Sequence, residues 1–368
     1  MIYLDWNATT PLEPAAEAAW LRAQREAWAN PSAAHAFGQQ ARHVLDQAKA
    51  GIARILGGSA AQWIVTSGGS ESNSLAIASA LVEGGRACAA ATEHSSILAA
   101  LAARAQGVTT LAVDACGRIR ADRLPAALDP APAPVCLSFA NNETGVRQDL
   151  PALCARIRDL APSTWIHSDG AQGPGRVQVD VAALGCDSFS VAAHKFGAPK
   201  GVGLLWVRPG RRIIAQIHGG RQQQDRRSGT EDAPRVCAVE AALAARQAGL
   251  AAEAERQAGL VGSAFAAIRA ARPAAQWIGQ AAARLPHVLS LGLPGQRADT
   301  LVTRLDLAGI AVSRGSACQA AKDGPSPIIA ALGLDEALAR SVIRVSIGWG
   351  TTAEELAAFV SAYLDVTA

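Results

Sequence analysis

A chain of 368 residues, half of them hydrophobic, is long enough to bury a large core and to form two domains. Its formal net charge of +3 comes with arginines spread along the chain and no long basic run, which gives nucleic-acid binding no support. No uninterrupted apolar stretch is long enough to span a membrane, and Met1-Ile-Tyr-Leu-Asp5 reads as folded protein rather than a signal sequence, so a cytoplasmic location is expected.

Residues 14–29 and 37–56 carry a helical pattern. From about residue 60 to 210, short β-type runs alternate with helical ones. Strands are predicted over 63–67, 86–92, 108–113, 135–140, 165–168, 188–192 and 203–207, and helices over 70–82, 95–105 and 150–160. This alternation predicts an α/β fold with a mostly parallel sheet covered on both faces. Asp129-Pro-Ala-Pro-Ala-Pro134 is a short stiff connector into a strand. After Thr230 the pattern changes. Residues 232–271, rich in Ala, Arg, Glu and Gln, read as one or two helices. Short strands and helices follow, and Thr352-Ala-Glu-Glu355 is a capping-box start for the last helix. The expected division is a large α/β domain over 14–250 and a small α+β domain built from 1–13 and 251–368.

Seven cysteines (Cys88, Cys116, Cys136, Cys154, Cys186, Cys237 and Cys318) are dispersed, without a C-x-x-C pair or zinc-like spacing. Their odd number fits a reducing cytosol. The seven histidines do not cluster either, so no metal site is expected; His35 and His43, which could share a helix side, read as surface or packing residues.

Lys195 stands out. The chain has four lysines against thirty arginines. A lysine at the end of the apolar run Ser188-Phe-Ser-Val-Ala192 therefore needs a reason, and a strand-end charge in water is the plain one. A buried lysine amine, unlike a guanidinium, can lose its proton near neutral pH and form a Schiff base. Polar clusters fall at other predicted strand ends. Thr66-Ser-Gly-Gly-Ser-Glu-Ser-Asn73 opens a helix whose N-terminus offers free N–H groups to a phosphate. Glu93-His94, Asn141-Asn-Glu-Thr-Gly145, Asp169-Gly-Ala-Gln172 and His194-Lys195 follow further strands. Any one could be a turn residue or a helix cap. Together they line the edge where open α/β sheets bind ligands. A lysine, a carboxylate for a pyridine nitrogen and a phosphate cradle are what pyridoxal phosphate requires.

These stretches carry a resemblance. With Tyr3-Leu-Asp, Asn7-Ala-Thr-Thr10, Asn30-Pro-Ser32, Ala193-His-Lys-Phe-Gly197, Arg227-Ser-Gly-Thr230, Gly315-Ser-Ala-Cys318 and Ile343-Arg-Val-Ser346, the chain resembles the cysteine desulfurases, over nearly its whole length. It looks most like the branch serving nitrogen fixation and iron–sulfur assembly. The resemblance implies the fold type I architecture of pyridoxal-phosphate enzymes and a homodimer. It implies that Lys195 holds the cofactor and shuttles a proton, that Asp169 pairs with the pyridine nitrogen, and that Gln172 binds the phenolic oxygen. His94 would stack on the ring and take part in catalysis. Gly69, Ser70 and His194 would hold the phosphate, with Thr230 reaching the phosphate of the other subunit. Arg344 and Asn142 would bind the substrate carboxylate, Asn142 also bordering the cofactor. Cys318 would attack the sulfur of L-cysteine, leaving alanine and a persulfide for an acceptor such as an iron–sulfur scaffold protein. Cys318 lies in a run without apolar periodicity, which predicts an exposed, mobile loop suited to a nucleophilic thiolate.

The chain departs from the family pattern at several points. Trp6 replaces the usual Asn, Ala192 a frequent Ser, and Gln223-Gln224 a Glu-Arg pair; Arg314 stands where a small residue is common. The last helix is followed by little chain, without the tail with which some relatives dock a scaffold. The rival readings are a selenocysteine lyase or cysteine-sulfinate desulfinase of the same fold, and a catalytically silent scaffold.

Overall fold

The computed structural model describes residues 1–315 and 324–368. In chain order the elements begin with β1 (Ile2–Tyr3), α1 (Pro14–Glu26), α2 (Ala36–Leu56), β2 (Trp63–Thr66), α3 (Gly69–Ala80), β3 (Arg86–Ala90), α4 (Ser95–Ala102) and β4 (Gly107–Leu111). There follow α5 (Leu124–Ala127), β5 (Pro134–Ser138), α6 (Leu150–Leu160), β6 (Trp165–Asp169), β7 (Ser188–Ala192), β8 (Gly203–Val207), α7 (Gln222–Asp225) and α8 (Ala233–Gln247). The remainder is α9 (Leu250–Ala271), β9 (Gln276–Trp277), β10 (Val288–Gly292), α10 (Ala298–Leu307), β11 (Ile310–Ala311), α11 (Pro327–Ala331), α12 (Glu336–Ala339), β12 (Ile343–Ser346) and α13 (Ala353–Val366).

A seven-stranded sheet runs in the order β2-β8-β7-β6-β5-β3-β4. Pairs from β4 to β7 are parallel, and β8 pairs antiparallel with both β7 and β2. Only β8 therefore runs against the rest, and β2, β3, β5, β6 and β7 all end on one edge. The central strands β5, β6 and β7 are buried throughout, as strands covered on both faces are, even though β6 and β7 carry Ser, His and Asp among their apolar residues. Their core includes Trp63, Phe189 and Trp206, each worth roughly 3 kcal/mol of apolar burial. A second apolar cluster, around Leu289, Leu301, Phe359 and Tyr363, lies between the sheet β12-β10-β9 and the helices α9, α10 and α13. The N-terminal strand β1 pairs parallel with β11, and Asp5 bridges to Ser346, so the first residues are tied to this second layer.

Local chemistry sets the boundaries. Asp149 and Asp232 cap α6 and α8, each with proline in the first turn. Thr352 and Glu355 form the expected capping box at α13. Several predicted segments are longer than the observed ones. Strand β3 stops at Ala90 rather than residue 92, because the chain turns there, Glu93 N donating to Ala90 O at 3.1 Å. The stretch 232–271 is two helices, broken where Gly249 takes a left-handed backbone (φ 78°). His35 is not on a helix side with His43. It is the N-cap of α2, accepting from Gly38 N at 3.2 Å.

Candidate active site

The parallel strand ends converge on a cavity of about 280 Å³. Asn7, Gly69, Ser70, Asn73, His94, Ser96, Asn142, Asp169, Gln172, Ala192, His194, Lys195 and Arg344 line it. Lys195 follows β7 in a single tight helical turn, Ala193–Lys195. Its Nζ donates to the carbonyls of Asn7 (2.5 Å) and Ala8 (2.8 Å). Burial, with the cations Arg344 and Arg176 nearby, lowers its pKa to about 7, against the opposing pull of Asp5 and Asp169. Arg176 is buried and donates from Nη2 to the carbonyls of Trp6 and Lys195, both at 2.9 Å, so it brings charge to the lysine backbone. Its Nη1 also contacts His287 Nε2.

Asp169 ends β6. Its Oδ1 accepts from Ala171 N (2.9 Å) and its Oδ2 from Asn73 Nδ2 (2.9 Å). Gln172 follows in the same turn. Its Nε2 donates to Asn7 O at 3.3 Å, while its buried Oε1 has no partner among the described residues. His94 caps α4, its Nδ1 accepting from Ser96 N at 3.2 Å. The preceding Glu93 is buried against Ser138, accepting from its N and its Oγ, both at 2.7 Å. Burial pushes the Glu93 carboxyl up to about 8, opposed by those two bonds. His194 is lowered to about 4 by burial and by Lys195, Lys200 and Arg176; its Nδ1 lies 3.0 Å from Thr9 Oγ1.

The N-terminus of α3 opens onto the cavity at Gly69 and Ser70 with no side-chain cap. Backbone packing is tight here: a Cβ on Gly203 would lie 2.5 Å from Gly68 backbone. Arg344 donates to Asn142 O (3.1 Å) and Asp5 Oδ1 (2.5 Å). Asn142 thus meets it through its carbonyl rather than its side-chain amide. Thr230 is exposed and does not line this cavity. Cys318 lies outside the described residues.

Sequence reasoning missed three contributors. Asp5 pairs with Arg344. Asn7 joins Lys195, Gln172 and Asn142, its own Nδ2 donating to Asn142 O at 2.9 Å. Asn73 reaches Asp169 from inside α3. A buried polar amide within a helix is disfavoured unless it has partners, and that was the available signal. The Gln223 substitution also has a role. Its side-chain amide accepts from Val65 N (2.7 Å) and donates to Val65 O (2.8 Å), completing the edge of β2. A carboxylate could only accept there.

Residues 2–359 match the family model described as aminotransferase class-V. The chain belongs to this family. It is 32% identical to the cysteine desulfurase IscS of Dictyoglomus turgidum, over 96% of this chain and 91% of the relative. It is 31% identical to the selenocysteine lyase of Bos taurus, over 96% and 90%. A solved NifS-like protein superimposes with a TM-score of 0.91 at 26% identity, covering 100% of this chain and 99% of that one. The α/β, pyridoxal-phosphate-enzyme fold that the resemblance implied is thereby established, and the family's cofactor is pyridoxal phosphate.

The residues fit this group. The cavity holds an amine able to lose its proton near neutrality, a carboxylate with one face toward the cavity, an unpartnered amide oxygen at Gln172, and an uncapped helix N-terminus suited to a phosphate. Gln172 would serve a phenolic oxygen only with its NH2 turned to the cavity, in place of the weak bond to Asn7.

Proposed function

We propose that this chain is a pyridoxal-phosphate-dependent cysteine desulfurase, converting L-cysteine to L-alanine and leaving a persulfide on Cys318. The observation that carries the reading is Lys195. Its amine, bonded among the described residues only to backbone carbonyls, shares one cavity with Asp169, His94, Gln172 and Arg344. The bound cofactor supplies an electron sink for the substrate's amino-carbon bonds. Lys195 holds it and afterwards carries protons at Nζ. Asp169 binds the pyridine nitrogen, His94 covers the ring, and Gln172 holds the phenolic oxygen. Gly69, Ser70 and His194 hold the phosphate. Arg344 takes the substrate carboxylate, beside Asn142. The Cys318 thiolate attacks the substrate sulfur, so an S–S bond forms as the C–S bond breaks, and a proton returned to that carbon completes alanine.

The protein works as a homodimer in the cytoplasm, with Thr230 serving the partner's phosphate. Thr230 is exposed on its own chain, and Trp28 and Phe37 form an exposed apolar pair with ring centroids 5.8 Å apart, as interaction surfaces do. The large unit spans 14–250, and 1–13 with 251–368 form the small one. The persulfide passes to an acceptor such as an iron–sulfur scaffold. Among the described residues no helix is long and apolar enough to cross a membrane.

Purified protein with cofactor, L-cysteine and reductant tests this reading. Equal yields of sulfide and alanine are expected, with both lost in Lys195→Ala. The likeness to a selenocysteine lyase favours one alternative: release of selenium from selenocysteine without need of the Cys318 thiol. Turnover of selenocysteine, but not cysteine, by Cys318→Ala would select it.

A further inference from the structure

Behind Asp169 lies a line of buried polar side chains to which no part of the proposed chemistry assigns a role. Trp165 Nε1, which can only donate, points at Ser188 Oγ (2.8 Å). Ser188 Oγ meets His167 Nδ1 (2.8 Å), and His167 Nε2 meets Asn73 Oδ1 (3.0 Å). Asn73 Nδ2 then donates to two acceptors, Asp169 Oδ2 (2.9 Å) and Ser96 Oγ (2.9 Å). Ser96 Oγ in turn lies 2.9 Å from His94 Nδ1. His167 and Ser188 are fully buried and Asn73 is 1% exposed.

The direction of every bond follows from the ends. A carboxylate accepts only, so Asn73 turns its NH2 to Asp169 and its oxygen to His167. His167 must then donate from Nε2. Burial lowers its pKa to about 4, so the ring carries one proton near neutral pH and Nδ1 is an acceptor, served by the Ser188 hydroxyl. At the other branch, His94 Nδ1 already accepts from Ser96 N, so the Ser96 hydroxyl donates to it and the His94 proton sits on Nε2. Without His167, the Asn73 amide could rotate and turn its oxygen against the carboxylate.

We propose that Asn73, held in one sense by His167 and Ser188, is a positioning residue that orients Asp169 and His94 together around the cofactor's ring. This rests on the pyridoxal-phosphate reading above. Two groups on different elements, the end of β6 and the N-cap of α4, would otherwise be set independently. A single amide with both N–H bonds committed couples them.

The test uses full-length protein loaded with pyridoxal phosphate carrying nitrogen-15 in the ring. Wild type is expected to show a protonated ring nitrogen. Asn73→Ala should move that resonance toward the unprotonated value, change the circular dichroism of the bound cofactor's visible band, and raise the cofactor dissociation constant at least fivefold. His167→Leu should do the same more weakly. His167→Gln should restore all three, because its amide can donate to Asn73 and accept from Ser188. Melting of the cofactor-free variants separates loss of fold from loss of positioning, and the His167 pair decides should Asn73→Ala not fold. If wild type takes up no cofactor, the reading beneath the proposal fails with it. If wild type is loaded while folded Asn73→Ala and His167→Leu keep its nitrogen resonance and affinity, the positioning role alone is overturned.

Discussion

Arg344 Nη2 donates to Asp5 Oδ1 at 2.5 Å, so the guanidinium lining the cavity is already anchored to a carboxylate from the N-terminal segment. Arg344 Nη1 is held by Asn142 O, and its buried Nε has no partner among the described residues. Two anchors, one from the N-terminal segment and one from the loop after β5, thus fix the plane of the fork before substrate arrives. Arg344→Lys keeps the charge and loses the fork. It should cost about 2 kcal/mol of transition-state binding, about thirtyfold in kcat/KM for cysteine, with the cofactor band unchanged. Steady-state kinetics beside the visible spectrum checks this.

Asp5 also bears on the lysine. The Lys195 amine releases its proton at about 7 in the fold, against 10.5 for an ordinary lysine. Between those values the unfolded chain binds the extra proton, so stability of the cofactor-free protein rises with pH across this window. Urea titrations at pH 7 and pH 9 should show the rise, and Lys195→Met should lose that part of it. Asp5 and Asp169 both favour the charged amine. Asp5→Asn should therefore move the pH midpoint of cofactor attachment to a lower value, read from stopped-flow absorbance.

Ala192 lines the cavity beside the start of α3, its Cβ 3.2 Å from where a Cβ on Gly69 would stand. It offers no donor to a phosphate there. Ala192→Ser should add one hydrogen bond, about 1 kcal/mol, and lower the cofactor dissociation constant about fivefold. Equilibrium titration of cofactor-free protein measures it.

Gly170 places Asp169. A Cβ there would lie 2.0 Å from Phe189 Cζ and 2.6 Å from Ser190 O, and the carbonyl is held in β7. Gly170→Ala should destabilise the fold by about 3 kcal/mol and lower cofactor affinity with it, because the displaced turn carries Asp169 and Gln172. Thermal melting with and without cofactor reads both effects.

Much of this site was legible in the sequence because it follows chain order. Glu93-His94 and His194-Lys195 lie within a few residues of the ends of β3 and β7, and Asp169 ends β6; a parallel sheet must bring such ends together. What escaped depends on distance in the chain. Asp5 meets Arg344 across 339 positions, and Asn73 meets Asp169 across 96. An amide inside a helix hints that Asn73 has partners, but no local pattern says which residue is the partner in either pair. Gln223 stood out in sequence only as a departure from a Glu-Arg pair, yet its amide makes two backbone bonds to Val65. His35, which could have shared a helix side with His43, is instead an N-cap; an N-cap and a helical residue share the same neighbourhood in sequence.

The central claim is that the sulfur of L-cysteine passes to this chain's own thiol. Mass spectrometry of cofactor-loaded protein after one turnover with L-cysteine, without reductant, tests it most directly. The account predicts a gain of one sulfur atom on the peptide carrying Cys318, matched by one alanine per site and absent from Cys318→Ala. Alanine formed in full by Cys318→Ala, with no added sulfur on the wild-type peptide, would contradict it.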